Sequence, residues 1–403
     1  MYTKAFIPYG GYYSTPFVRW QGSLQNEHAV ELAGSTARKW FETREIDPKI
    51  FEYLVFGKTI GQLWTFYDAP WAATLMGAPD IPGMHITQAC STSTTVLNQA
   101  AAALETGLYE SSFCMMTDRC SNGPFTVWPN PKGPGGELIR ESWLMDNFDG
   151  GPWKGVAMVQ TAENVVKKVG GITKEDVDRV TVRRYEQYED ALAKDRAFQK
   201  RYMIPAEYKI SKKKTGIVET DEGVTPTTLD SLTPLNPVIP GGVHSFGAQT
   251  HPADGNCGLI VTTKEKAREL STDKNIEVQI LSYGYARAEQ AHMAMAVVPA
   301  ARMALNNAGI SIKDVKAIKT HNPFTANDLY MANEMGIDVM TMNNYGCPLV
   351  YGHPQAPTAG RAIIEMIEEL AILGGGYGLF TGCAAGDTGA ALVIKVSTQN
   401  FKA

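Results

Sequence analysis

Three short stretches of the chain hold side chains of the kinds that form acyl adducts and move protons. The first, Ile86-Thr87-Gln88-Ala89-Cys90-Ser91-Thr92-Ser93-Thr94, sets a thiol between a strand-like run and the series Val96, Leu97, Ala100, Ala101 and Leu104, whose spacing is helical. A cysteine at a helix N-terminus faces free backbone N–H groups and the positive end of the dipole, and such sites can lower a thiol pKa to ~3.5–7.5. The thiolate attacks carbonyl carbon; the plainer reading of one cysteine is a small buried hydrophobe. The second stretch, Tyr351-Gly352-His353-Pro354, puts an imidazole in a tight turn that aims it away from the helix that follows. The third, Thr381-Gly382-Cys383-Ala384-Ala385-Gly386-Asp387-Thr388-Gly389-Ala390, crowds small residues around a second thiol, as where backbone approaches a ligand closely. Taken singly, His353 reads as a core histidine and Cys383 as a packing residue. Together with Cys90 they supply a nucleophile, a base and a second acid–base group.

The elements that must position them read as α/β, because runs rich in β-branched residues alternate with stretches of helical period. After His353 the residues Ile363, Ile364, Ile367, Leu370 and Ala371 repeat the pattern seen after Cys90, with Glu365, Glu368 and Glu369 on the other face. Each helix follows a short apolar run and a turn, a weak internal echo of strand, reactive residue and helix. Between the halves the texture changes at Pro129-Asn130-Pro131-Lys132-Gly133-Pro134-Gly135-Gly136, a loop excursion. A charged helix around Lys174 to Ala193 and a loop with four prolines between Thr225 and Pro240 follow. The expected organisation is an N-terminal half (1–120 and 242–270), an inserted lid or loop domain (121–241) and a C-terminal half (271–403), with a plain surface excursion as the other reading of the insert.

The 403 residues, 44% hydrophobic, suffice for a large core. With 42 acidic against 37 basic residues the net charge of −5 gives no basic footprint for nucleic acid, and an anionic cofactor needs a local basic patch. No apolar run approaches the roughly 18 residues of a membrane span or forms a signal peptide, so the expectation is a soluble, cytoplasmic protein. Six cysteines without a Cys-x-x-Cys pair argue for reduced thiols, and seven histidines lie too far apart in sequence to be read as a metal cluster.

Read together, these motifs resemble the thiolase family along nearly the whole chain. Ser14-Thr15-Pro16-Phe17 with Gly22-Ser23-Leu24 is similar to the family's opening strand and loop, and Met158-Val159-Gln160-Thr161-Ala162-Glu163-Asn164-Val165 to its lid signature. Asp254-Gly255 matches a turn after the lid, Cys90 the nucleophile, His353 the Gly-His-Pro histidine and Cys383 the C-terminal acid/base cysteine. The resemblance implies a duplicated five-layered αβαβα fold with an inserted lid. It also implies thiolytic cleavage of a 3-oxoacyl-CoA through a Cys90 acyl-enzyme, with the backbone N–H groups of Cys90 and Ala385 as oxyanion hole. Coenzyme A is then a substrate, no metal is needed in this chain, and a homodimer is the expected core. Substrate and CoA contacts fall on Met158, Gln249, Thr250 and Phe324. Lys212, in the run Lys212-Lys213-Lys214, reads either as a phosphate contact or as part of a solvated face.

Several positions depart from the family pattern. His321-Asn322-Pro323-Phe324 stands where many thiolases carry Asn-Glu-Ala-Phe, and is closer to the His-Asp-Cys-Phe version of sterol-carrier-type and archaeal thiolases. His321 then becomes the second donor to an enolate oxygen. Ala385, Gly386 and Asp387 replace a glycine run and narrow the acyl site, Gln355-Ala356-Pro357-Thr358 follows the Gly-His-Pro turn, and Cys347 replaces a glycine. The aromatic block Trp64, Phe66, Tyr67 and Trp71 reads as core or subunit interface, or else as an aryl-binding wall. With the His-Asn-Pro-Phe motif it resembles the thiolase subunit of 2-benzoylsuccinyl-CoA thiolases of anaerobic toluene degradation, which implies a small zinc-ribbon and OB-fold partner subunit. A medium-chain or acetoacetyl-CoA thiolase, a ketosynthase-like condensing enzyme using Cys90 with two histidines, and a silent scaffold are the competing readings.

Overall fold

The structure is a computed structural model, which describes residues 1–150 and 155–399. The first half runs through β1 (Phe6–Ile7), β2 (Tyr12–Ser14), β3 (Val18–Arg19), α1 (Ala29–Thr43), β4 (Tyr53–Gly57), α2 (Asp68–Met76), β5 (Gly83–Ile86), α3 (Thr92–Thr106) and β6 (Ser111–Arg119). Then come β7 (Phe125–Pro129), β8 (Leu138–Ser142), α4 (Met145–Gly150), α5 (Met158–Val169), α6 (Lys174–Arg196), β9 (Ala206–Ser211), β10 (Lys214–Val218) and α7 (Leu229–Leu232). The chain returns through β11 (Ala253–Thr262) and α8 (Lys264–Leu270). The second half comprises β12 (Glu277–Arg287), α9 (Val297–Ala308), β13 (Val315–His321), α10 (Thr325–Met335), α11 (Pro348–Tyr351), α12 (Thr358–Ile372), β14 (Gly376–Ala384) and β15 (Thr388–Ser397).

Nine strands follow the order β13-β14-β15-β12-β1-β11-β6-β4-β5, with β2 and β3 added on β11. Each half repeats one unit: a parallel pair (β4 with β6, β13 with β14) beside an antiparallel strand (β11, β15). The two-residue β1 joins the halves, because Phe6 lies opposite both Thr262 and Gln279.

Side chains alternate across each strand, and here both faces are apolar. Leu54, Phe56, Phe113, Met115 and Ile260 pack on α1 and α2, whereas Val55, Cys114, Met116, Leu259 and Val261 face the central pair α3 and α12. In the second half Phe380, Leu392 and Ile394 face the same central pair, and Leu379, Ala391 and Val393 pack on α9 and α10. The result is five layers, helix, sheet, helix, sheet, helix, in agreement with the expected architecture. No helix among the described residues is long and apolar enough to cross a membrane.

Three sequence expectations change here. Asp254-Gly255 is not a turn but part of β11, in register with Arg119 and Asp118 of β6. No strand leads into His353; Pro348–Tyr351 is a short helix instead. Glu365, Glu368 and Glu369 do not face solvent, because a helix enclosed between two sheets has no solvent face, and all three are buried.

Glu365 and Glu368 are matched instead, while Glu369 accepts from Asn344 at 2.7 Å and keeps its other oxygen without a partner. Glu368 accepts hydrogen bonds from Tyr9 (2.9 Å), Tyr12 (2.6 Å) and the Arg201 guanidinium (2.6 Å). Glu365 meets Lys319 (3.2 Å), Arg361 (3.0 Å), Tyr202 (2.7 Å) and Tyr351 (3.2 Å). Arg361 in turn holds Asp221 by two hydrogen bonds of 2.6 and 2.8 Å, and its guanidinium lies 3.7 Å from the Tyr351 ring centroid. Asp221 also accepts from the Phe17 N–H and from Tyr188, so one carboxylate ties the segment after β10 to α6, α12 and the first half. Removing it strands a buried guanidinium. Asp221→Ala is expected to lower unfolding stability by about 3–5 kcal/mol, measured as a shift in the urea midpoint. Glu277→Gln, which breaks the exposed pair with Lys264, leaves the midpoint nearly unchanged.

Candidate active site

Cys90 enters through a single helical turn, Ala89–Ser91, between β5 and α3. Ala89 is left-handed there (φ 46°), a strained conformation for a residue with a Cβ, and it turns the chain sharply enough to present the next side chain. Cys90 Sγ lies 3.1 Å from His353 Nε2 and 3.4 Å from Gln355 Oε1. The backbone N–H groups of Ala385 and of Cys90 itself are directed at the sulfur.

His353 follows Gly352, whose φ of 93° suits glycine and where a Cβ would lie 2.8 Å from His251 Nε2. Its backbone N–H donates to the His251 carbonyl, and its Nδ1 meets Thr358 Oγ1 at 2.6 Å. The imidazole is therefore not aimed away from the following helix: Nδ1 is held by the first residue of α12, and that contact turns Nε2 to Cys90. His321 ends β13, fully buried, with its ring centroid 4.1 Å from that of His353 and with neither ring nitrogen hydrogen-bonded. Cys383, also fully buried, accepts from Asn327 Nδ2 at 3.1 Å.

Burial dominates the electrostatics. It pushes the Cys90 thiol up to about 12, against the downward pull of the Ala385 and Cys90 N–H groups. The low thiol pKa expected from the helix start is thus overridden by desolvation. Burial also pushes the His321 imidazole down to about 3 and His353 well below its usual range, with His321 as an additional repelling neighbour of His353. Burial raises the Cys383 thiol, and Cys90 raises it further. The resting site is a set of neutral groups.

Two further residues were not singled out from the sequence as site residues. Gln355, left-handed at φ 59°, puts its amide oxygen on Cys90. Asp118 on β6 accepts from the N–H groups of Thr59 and Ile60 (3.0 and 2.8 Å) and of Ala356 (2.9 Å), clamping the wall of the site to the segment after His353. Burial pushes its carboxyl up to about 6 in spite of those bonds. An acid closely following the apolar run Phe113-Cys114-Met115-Met116 of β6 was the available signal.

These groups open onto a cleft of 670 Å³. Cys90, His353, Gln355 and Ala385 lie on its wall, as do Met158 at the start of α5, Gln249, Thr250 and Phe324. Thr250 donates its N–H to the Pro323 carbonyl and Gln249 bridges Phe324, which seats the segment before β11 against the His-Asn-Pro-Phe stretch. Among the described residues, the lining includes neither His321 nor Cys383, which are buried beyond it, and no lysine or arginine. Lys212 sits in the exposed turn between β9 and β10, apart from the cleft wall. Asp387 does not narrow the acyl site, since its carboxylate accepts from the Ala291 N–H; only Ala385 of that run reaches the wall. Trp64, Phe66 and Tyr67 are exposed and outside the lining, and Trp71 packs on His28, so the block forms no aryl wall here. The aromatic surface in the cleft comes instead from Trp143, Phe148, Phe246 and Phe324.

Comparison with known proteins agrees with this fold. Residues 11–265 match the thiolase N-terminal domain and residues 274–396 the thiolase C-terminal domain. A 3-ketoacyl-CoA thiolase of Aliivibrio fischeri is 27% identical over an alignment 441 positions long, gaps included, covering 95% of this chain and 93% of that protein. The crystal structure of the Bacillus anthracis acetyl-CoA acetyltransferase superposes with a TM-score of 0.88 at 24% identity, covering 98% of this chain and 99% of that one. Human mitochondrial 3-ketoacyl-CoA thiolase in complex with CoA superposes with a TM-score of 0.87 at 23% identity, covering 97% and 98%. With both domains matched in order across nearly its whole length, the chain belongs to the thiolase family of acyltransferases.

Proposed function

We propose that this enzyme cleaves a 3-oxoacyl-CoA with coenzyme A through an acyl group carried on Cys90. The observation that carries the reading is the approach of Cys90 Sγ to His353 Nε2 at 3.1 Å, with Cys383 near enough for Cys90 to raise its thiol pKa. His353 Nε2 takes the thiol proton as Sγ attacks the 3-oxo carbon, and the Ala385 and Cys90 N–H groups receive the oxyanion. The bond between carbons 2 and 3 breaks, and Cys383 gives its proton to carbon 2 of the departing enolate. Neutral His321, with an N–H that has no other acceptor, and protonated His353 donate to the enolate oxygen. Free CoA then hands its thiol proton to the Cys383 thiolate and attacks the acyl carbon. Cys90 leaves and recovers its proton from His353.

The Cys90, His353 and His321 triangle also suits a decarboxylating condensing enzyme. Cys383, held by Asn327, favours thiolysis because only that reaction needs a second proton shuttle. For the acyl group the aromatic cleft supports a bulky substrate, with 2-benzoylsuccinyl-CoA giving benzoyl-CoA and succinyl-CoA as the candidate, and acetoacetyl-CoA or a medium-chain 3-ketoacyl-CoA as the alternative. A homodimer, with a small zinc-ribbon and OB-fold partner subunit, is the assembly proposed for the assay.

Brief exposure to substrate without free CoA is expected to leave one acyl adduct on the Cys90 peptide by intact-mass and peptide analysis. An adduct confined to Cys383 would reverse the two roles. Cys383→Ala is expected to lower turnover by roughly 10²-fold or more while Cys90 still acylates, on the usual scale of a positioned acid–base group. Turnover near wild type would make Cys383 a packing residue. Burying a phenyl group at about 25 cal/mol per Å² shifts preference by roughly ten- to a hundredfold, so kcat/KM should favour 2-benzoylsuccinyl-CoA over acetoacetyl-CoA. The ratio is measured with and without the partner subunit. A tenfold or greater preference for acetoacetyl-CoA, judged on the scale of pocket discrimination, rejects the aryl substrate and leaves thiolysis standing.

A further inference from the structure

We infer that Cys90, His321 and His353 form a reversible site for a divalent transition-metal ion, Zn²⁺ foremost, and that a bound ion takes the nucleophile out of the reaction. The three lie far apart in the sequence, yet one ligand atom from each falls within 4.8 Å of the other two. Bond lengths of about 2.0–2.1 Å to nitrogen and 2.3 Å to sulfur put the ligand atoms of tetrahedral zinc about 3.3–3.6 Å apart. The Cys90–His353 separation of 3.1 Å is already near that spacing, and the His321 nitrogen, within 4.8 Å of both, closes onto the ion to supply the third corner.

A second observation points to a ligand. Both ring nitrogens of His321 are buried without a hydrogen-bond partner, in a side chain with 0% exposure, and a polar group left in that state is costly. The neutral imidazole that burial favours is the ligating form. One thiolate with two imidazoles suits zinc and softer ions rather than magnesium or calcium. The bond from His353 Nδ1 to Thr358 Oγ1 is the kind of outer contact that orients a metal-binding histidine, and it already points Nε2 at the shared space. Cys90 and His353 lie on the cleft wall, so an ion enters from the cleft and keeps a fourth position there for water. On binding, the Cys90 S–H bond breaks, the sulfur–metal bond forms and the proton leaves to the buffer. Sulfur whose lone pair is committed to the metal is a weaker nucleophile than the free thiolate and His353 can no longer serve it as base, so acyl transfer stops being competitive until a chelator reverses the state.

The test uses the full chain washed with chelator and titrated with Co²⁺, then with Zn²⁺ in competition. The expected result is one ion per chain, with a thiolate-to-cobalt charge-transfer band and the visible bands of a tetrahedral ion, all lost on adding Zn²⁺. Cys90→Ser should abolish the charge-transfer band. His321→Asn should weaken binding by roughly tenfold or more, a floor set by the loss seen when even an outer-shell partner is removed. Zn²⁺ should slow alkylation of Cys90 by iodoacetamide, and EDTA should restore it. Should circular dichroism show His321→Asn to be misfolded, His353→Asn takes its place in the titration. Cobalt binding without the thiolate band, affinity unchanged in a folded histidine variant, or no binding at all overturns the inference. A protein that shows the band but no thiolysis keeps the metal site and rejects the proposed function, so the two readings fail separately.

Discussion

The close approach of the starts of α3 and α12 is the constraint on which the rest of the molecule depends. At Gly360 an added Cβ would lie 2.5 Å from Cys257 Sγ on β11 and 3.1 Å from Ser93 Oγ on α3, so α12 sits tight against both the sheet and α3 at that level. Ser93 also donates its hydroxyl to the Ala356 carbonyl, tying the first turn of α3 to the segment that carries Gln355. With those two helix starts fixed, Cys90 and His353 face each other across a gap that 263 residues of chain must close. The two sheets then enclose the pair on both sides, and the outer helices cover the sheets.

That enclosure determines the chemistry as much as the packing. Little water reaches the sulfur and the two imidazoles even though Cys90 and His353 border the cleft, and desolvation favours their uncharged forms until substrate oxygen arrives to share the charge. At the same time the central helix α12 carries glutamates that must find partners inside the protein. They reach Tyr9, Tyr12, Arg201, Tyr202, Lys319 and Arg361, drawn from both halves and from the segment between them. Buried polar groups of this kind bring little net stability, but a misplaced element leaves a charge unmatched, so they penalise wrong arrangements.

The α/β class and the two central helices were legible because the spacing of Val96 to Leu104 and of Ile363 to Leu370 survives in one dimension. The glutamates of α12 were misread for a physical reason: a charged residue at helical spacing reads as solvent-facing, while Arg361, Lys319 and Arg201, which make its burial tolerable, can be paired with it only in three dimensions. The same limit applies to the site. Thiol, imidazole and second thiol can be picked out by type, but the thiol pKa depends on what covers Cys90, and the helix start is the smaller influence there. The close, tilted packing of His321 on His353 and the clamp made by Asp118 likewise arise from strands and loops that are neighbours only after folding. The aryl-wall reading of Trp64 to Tyr67 fails for the opposite reason, since their position just before the nucleophile segment did not become a place on the cleft wall.

A sulfur kept protonated until its substrate arrives is also a sulfur that resists damage. Oxidation to sulfenic acid and mixed-disulfide formation both proceed through the thiolate, so their rates follow the small fraction of Cys90 that is ionised at rest. The raised thiol pKa therefore slows both reactions at a sulfur that, unlike the five buried cysteines, stands on the wall of the cleft where such reagents arrive.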